Sequence, residues 1–172
     1  MRRAALMVSK TLGIIAAEIK PGVTTLRLDT LAEQYIRDNG AVPGFKGLYD
    51  CPSTLLISPN EEVVHGIPKE VAIQEGDVLS IDCGAIVDGF YGDHAYTFTV
   101  GEVPQETIDL LDRTKNSLYL GIEQFRVGKR VEDVGHAIQE YCESFGYGVV
   151  RELVGHGLGK VMHEDPQMPN YG

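Results

Sequence analysis

The sequence has few cysteines and no long apolar stretch. Cys51, Cys83 and Cys142 are the three cysteines among 172 residues. Their odd number, their wide spacing and the absence of a C-x-x-C pair exclude a disulfide framework and favour a reducing compartment, so we expect a cytoplasmic protein. Apolar runs such as residues 54–57 are far shorter than the roughly 18 residues that a membrane-spanning helix needs. The sequence therefore predicts no contact with a membrane interior.

Basic residues are also scarce. Lysine and arginine number 15 against 25 acidic residues, which gives a formal net charge of −10. An acidic surface argues against nucleic acid or an anionic membrane as the main partner. The 20 glycines and 8 prolines are too few for a low-complexity chain, and 43% hydrophobic residues are typical of a globular protein. The length predicts a single domain over residues 1–172.

Two helix pairs are predicted, one near each end of the chain. The first pair spans residues 6–19 and 26–38, with Thr24 or Thr25 as the cap of its second helix. The second pair spans residues 118–125 and 131–144. A shift of 106 residues places the first pair on the second, which indicates an internal duplication.

Sequence of β type lies between and after the helix pairs. The runs at 78–87 and 90–100 flank Asp88-Gly89, a dipeptide typical of a two-residue hairpin turn. Further strands are predicted at 53–58, at 63–68 running into a turn, and at 148–154.

The hairpin arithmetic brings two carboxylates together. With a two-residue turn at 88–89, Gly84 pairs with Asp93 and Asp82 with Ala95. Asp82 and Asp93 are then diagonal neighbours on one face, with Cβ atoms about 6–8 Å apart. The other face carries Leu79, Ile81, Cys83, Tyr96 and Phe98, with His94, and is expected to pack against helices.

Two carboxylates this close require either a shared proton or a cation between them. An ordinary solvated face with two unremarkable aspartates is the alternative. Three histidines in glycine-rich turns, His65, His156 and His163, favour the cation. Aspartate and histidine together suit Mn, Fe, Co or Zn, whereas sulfur-rich sites need cysteine clusters, which the sequence lacks.

Four motifs in order along the whole chain resemble the type I methionine aminopeptidases, which are metallopeptidases of family M24. The motifs are residues 60–68 (NEEVVHGIP), 76–84 (GDVLSIDCG), 89–98 (GFYGDHAYTF) and 155–166 (GHGLGKVMHEDP). The resemblance implies a pita-bread fold of α/β (α+β) class: an antiparallel sheet with helices on one face, in two pseudo-symmetric halves. It implies removal of the initiator methionine from nascent peptides, with two divalent ions (Co, Mn, Fe or Zn) as cofactors.

The resemblance also assigns roles to individual residues. Asp82, Asp93 and His156 match the family's metal ligands. His65 and His163 match histidines that contact the substrate and stabilise the transition state. Peptides with an N-terminal methionine are the implied substrates, and the ribosome is a further expected partner.

Pocket residues are matched in the loop at 44–49. Phe45 and Tyr49 lie where the family lines its pocket for the methionine side chain. Leu56 stands where many relatives have a pocket cysteine.

The family completes its metal centre with two glutamates beyond the His-Glu-Asp-Pro motif, and the sequence ends at Gly172 before either. We therefore expect a catalytic domain cut at both ends, with an incomplete second half and no turnover by itself. A non-catalytic binding module of the same fold, or an aminopeptidase or dipeptidase for X-Pro bonds, is the alternative.

Overall fold

A computed structural model describes all 172 residues, Met1–Gly172. The helices are α1 (Arg2–Glu18), α2 (Thr25–Asp38), α3 (Gln105–Glu123) and α4 (Val131–Ser144). The strands are β1 (Val42–Pro43), β2 (Leu55–Pro59), β3 (Val78–Val87), β4 (Phe90–Thr99), β5 (Gly155–Gly157) and β6 (Glu164–Met168), and a short 3₁₀ turn covers Leu48–Asp50. None of the helices has the length and apolar character needed to cross a membrane.

The chain divides into two compact units. Unit 1 comprises Met1–Val103 and Leu158–Met162, and unit 2 comprises Pro104–Gly157 and His163–Gly172.

Unit 1 is built on a four-stranded antiparallel sheet. Strand β3 is central: β4 pairs along one side of it, and β1 and β2 pair along the other. The β3–β4 register has Val87 opposite Phe90 and Gly84 opposite Asp93, as the hairpin arithmetic predicts. Asp88 and Gly89 form the turn with φ of 52° and 76°, the two left-handed residues that a type I′ hairpin requires. The predicted register is therefore confirmed.

One face of this sheet forms the core of unit 1. Its fully buried β3 side chains pack with apolar residues of α1 and α2: Leu79, Ile81, Cys83 and Ala85 from the strand, Val8, Leu12 and Ile15 from α1, and Leu28, Ala32 and Ile36 from α2. The expected helix-covered face is thus present. His94 and Tyr96 differ from the expectation, because both share this face by register but are exposed. His94 is the nearer of the two to the hairpin turn. It lies on the edge strand, two residues beyond Gly92, where α1 crosses: a Cβ on Gly92 would come within 2.5 Å of the Ala4 backbone.

Unit 2 joins helices α3 and α4 to the small β5–β6 pair. The Arg113 guanidinium on α3 lies 3.9 Å from the centre of the Phe145 ring, just beyond the end of α4. Its Nη1 also donates to the Tyr141 hydroxyl at 3.4 Å. A Cβ on Gly135 would lie 2.1 Å from the Tyr171 carbonyl oxygen, so only glycine lets the C-terminal segment approach α4 this closely.

The helix pair of unit 1 has a counterpart in unit 2. Helix α4 covers the same 14 positions as α2 after a shift of 106 residues. Gly22 and Gly128 precede these helices with φ of 91° each, and Gly40 and Gly146 follow them with φ of 73° and 81°. Glycine adopts these left-handed conformations without the steric penalty that a Cβ would bring. The repeat predicted from the sequence therefore extends to the turns that end each helix.

Two predicted strands are absent, and two helices, α1 and α3, begin earlier than predicted. Residues 63–68 and 148–154 form no strand. In the first segment a side-chain hydroxyl, that of Ser58, accepts from the Gly66 N–H where a strand would make a ladder bond. In the second, the apolar sequence has no partner strand. Helix α3 begins at Gln105 rather than 118, and α1 begins at Arg2 rather than 6. The first half of α3 has three apolar residues, Ile108, Leu110 and Leu111, among many polar ones, which is a weak helical signal.

Candidate functional site

The two aspartates of the hairpin share the face opposite the helices. Asp82 lies on β3 and Asp93 on β4, one register step apart, and both are half-buried. Along β3 and β4 their neighbours on this face are small or polar, whereas β2 places Leu56 opposite Asp82. Ser80 and Thr97 contact each other through their hydroxyls at 3.0 Å.

The electrostatics of the pair favour a bound cation. The pKa of Asp82 is raised to about 7, mainly by burial and further by the charge of Asp93 and a side-chain hydrogen bond with it. The Oδ1 atom of Asp82 is buried and accepts no hydrogen bond. A buried acceptor without a donor, beside a second carboxylate, is a donor set that a divalent cation satisfies. The residues present in unit 1 therefore fit a divalent metal ion.

Neither unit taken alone provides a complete cage. Within each of them, no three His, Cys, Asp or Glu side chains are grouped so that they could hold a metal ion.

Phe45 lies against the floor of the carboxylate face. The Cβ that Gly84 lacks would fall 2.8 Å from Cε1 of Phe45 and 3.0 Å from Cε of Met162. Gly84 pairs with Asp93, so Phe45 and Met162 cover the sheet beside that aspartate. Both side chains are buried, at 7% and 1% exposure. This arrangement forms an apolar wall beside the carboxylates.

The other two matched pocket positions differ in their surroundings. Tyr49 is 78% exposed and lies in the 3₁₀ turn with φ of 50°. Leu56 of β2 stands directly opposite Asp82 in the register. Sequence reasoning singled out Leu56 as a departure, and the register places that departure next to a carboxylate.

His65 lies in the loop that follows β2. Its side chain is exposed and its backbone is left-handed, with φ of 62°. It is close enough to Asp82 for its charge to lower the pKa of that carboxyl, a smaller effect than burial and Asp93. A histidine held in a rare backbone conformation near a buried carboxylate is typical of functional sites.

His156 and His163 lie together in unit 2. Their ring centres are 4.4 Å apart with the planes tilted by 52°. The Nδ1 atom of His156 is 2.9 Å from the Gly157 carbonyl oxygen. A proton on Nδ1 donated to this carbonyl leaves the lone pair on Nε2, the arrangement that orients an imidazole for metal binding.

Sequence reasoning missed two residues that support the site. Asp29 on α2 is buried, and its Oδ1 accepts from the backbone N–H groups of Thr54 (2.9 Å) and Leu55 (2.7 Å) at the start of β2. Burial raises the pKa of Asp29. Ser58 at the other end of β2 holds Gly66, next to His65. The sequence signal available for Asp29 was an aspartate within the apolar stripe of a helix. No local sequence pattern marks Ser58.

This fold and these carboxylates define a class of metallopeptidase. The sequence profile of metallopeptidase family M24 matches residues 1–172, and the chain belongs to that family.

Individual relatives narrow the comparison. The chain is 52% identical to methionine aminopeptidase from Clostridium acetobutylicum over 173 residues, an alignment that covers 100% of this chain and 69% of that relative. The crystal structure of methionine aminopeptidase from Rickettsia prowazekii superposes with a TM-score of 0.98 at 37% identity, covering 99% of this chain and 69% of that one. A prolidase from Pyrococcus furiosus shares the fold alone, with a TM-score of 0.86 at 23% identity. The pita-bread fold implied by the motifs is therefore confirmed.

Proposed function

We propose that this protein removes N-terminal methionine from peptides, as a metal-dependent aminopeptidase of the cytoplasm. The observation that carries the proposal is the Asp82–Asp93 pair. The Oδ1 atom of Asp82 is buried and has no hydrogen-bond partner, which suits a cation. The 52% identity to a methionine aminopeptidase supports the choice of substrate. On this proposal both units belong to one catalytic domain, and newly made chains at the ribosome are the source of substrate.

Asp82, Asp93 and His156 would hold two divalent ions of the Co, Mn, Fe or Zn type. When bound, such ions lower the pKa of water and polarise the scissile carbonyl. Asp82 would then be ionised, because a cation offsets the burial and the repulsion from Asp93 that raise its pKa.

The protein's own groups bind and orient the peptide. His65 and His163 donate hydrogen bonds to the charge that develops on the scissile peptide group. Phe45 and Tyr49 contact the methionine side chain. The wall formed by Phe45 and Met162 over Gly84 is apolar, so it favours a thioether side chain over a charged one.

The test uses the protein expressed from its complete gene, assayed on Met-Ala-Ser with cobalt or manganese. We expect Asp82→Asn and His156→Ala to lower metal binding and abolish turnover. We expect His65→Ala and His163→Ala to keep metal binding and lower kcat. An unchanged rate in His163→Ala would contradict the role given to that histidine.

A second substrate separates the alternatives. Cleavage of Ala-Pro in preference to Met-Ala-Ser would favour an X-Pro peptidase. Absence of turnover on both peptides, with metal supplied, would favour a binding module. Solved structures of a prolidase and an X-Pro aminopeptidase share the fold, so X-Pro cleavage is the alternative activity that this second substrate tests.

A further inference from the structure

The loop that carries His65 is anchored at both ends. At the near end, the Asn60 side chain accepts from the Val78 N–H at 2.9 Å and donates to Asp77 at 3.1 Å. At the far end, Thr25 Oγ1 exchanges hydrogen bonds with the backbone of Lys69, at 2.9 and 3.0 Å. These anchors fix where the loop starts and ends, and they lie four or more residues from His65.

Next to His65, Gly66 joins the loop to strand β2. The Ile57 N–H donates to the Gly66 carbonyl at 2.7 Å. The Gly66 N–H donates to the Ser58 hydroxyl at 3.0 Å. A Cβ on Gly66 would lie 2.1 Å from the Ile57 carbonyl oxygen, so the loop packs directly on the strand backbone.

The Ser58 hydroxyl, which accepts this hydrogen bond, is buried. Ser58 is 3% exposed, and the register places it opposite Ser80, on the same sheet face as Asp82. Because its oxygen receives the N–H of the residue that follows His65, it fixes the peptide plane between His65 and Gly66. That plane determines where the left-handed His65 directs its imidazole.

We propose that Ser58 is a positioning residue: its hydroxyl holds the Gly66 N–H and thereby orients His65 for the reaction. This inference rests on the proposed function of His65. Replacing Ser58 by alanine leaves a buried N–H without an acceptor, and the peptide plane turns to find another. A small displacement of a catalytic group lowers the rate of the chemical step more than it weakens substrate binding.

The experiment uses the protein expressed from its complete gene and compares kcat and KM on Met-Ala-Ser for Ser58→Ala, His65→Ala and the double variant, with manganese present. We expect Ser58→Ala to lower kcat about tenfold and to leave KM within about twofold. The double variant should match His65→Ala, because Ser58 acts through His65. Ser117→Ala is the control: Ser117 is also buried, and its hydroxyl donates to the Thr114 carbonyl at 2.7 Å on α3. It should keep the wild-type rate.

A second measurement does not depend on activity. Imidazole NMR resonances of the metal-free protein should shift for His65 in Ser58→Ala and stay in place in Ser117→Ala. Ser58→Cys, which has the shape of serine with a slightly larger atom that is only a weak acceptor, should behave as Ser58→Ala and serves if the alanine variant does not fold.

Two results would overturn the positioning role: a further tenfold loss in the double variant relative to His65→Ala, or an unmoved His65 resonance in Ser58→Ala. A wild-type rate in His65→Ala would instead contradict the proposed function. The two failures are therefore distinguishable.

Discussion

In metal-free protein the Asp82–Asp93 pair should make stability depend on pH in an unusual direction. The pKa of Asp82 is about 7 in the folded protein against an ordinary value of 3.8. The folded state therefore binds more protons than the unfolded state between these values. Since stability falls with pH wherever the folded state holds the extra proton, this group stabilises the protein below about pH 4, and the contribution is lost as the pH rises through 7.

The size of this stability change follows from the interval between the folded and the ordinary pKa of Asp82. Each pH unit between the two pKa values is worth about 1.4 kcal/mol, so the step from pH 5 to pH 8 removes about 3 kcal/mol of unfolding free energy. Asp82→Asn stays neutral throughout and should lack this decline. Carboxylates remote from the pair have the same surroundings in both proteins, so the difference between the two proteins isolates Asp82 together with its coupling to Asp93.

Urea unfolding at pH 5, 6, 7 and 8 with a chelator present measures the effect. Asp88→Asn provides the matched control, because Asp88 is an exposed aspartate in the turn of the same hairpin. It should reproduce the wild-type slope. If Asp82→Asn loses as much stability between pH 5 and 8 as wild type does, then Asp82 is ionised in the metal-free fold and the electrostatic argument for a cation fails.

Two further predictions concern the scaffold of the site. Gly92→Ala should lower Tm by about 5 °C, because the new Cβ overlaps the α1 backbone and overpacking of this kind costs about 1–3 kcal/mol. The control is Gly13→Ala, at an α1 position with open space, which should not lower Tm. Equal melting temperatures for the two variants would refute the contact between Gly92 and α1. Asp29→Leu should destabilise by about 2–4 kcal/mol in urea unfolding, because two buried N–H groups lose their acceptor; a change below about 0.5 kcal/mol would show that Asp29 does not hold β2.

Local patterns in the sequence determined the hairpin and the helix pairs. The Asp88-Gly89 dipeptide specifies a two-residue turn, and a turn of known length fixes the partner of every residue on both strands. The positions of Asp82 and Asp93 on one face follow from that arithmetic alone. The glycines that end the helices are likewise local signals, so α4 is predicted to its exact limits. That the 172 residues alone lack turnover stays a prediction.

Tertiary structure decided what surrounds the carboxylates. Burial of the Asp82 oxygen, the Phe45 and Met162 side chains over Gly84, and the hydrogen bond from Gly66 to Ser58 all join residues far apart in the sequence. The missing strand at 63–68 has the same origin, since Gly66 makes one backbone bond to Ile57 of β2 and its N–H then donates to the Ser58 hydroxyl rather than to a second backbone carbonyl. Turn chemistry and helix caps act over a few residues and can be recognised there. Burial and pKa depend on which distant segments pack together, and only the folded chain determines them.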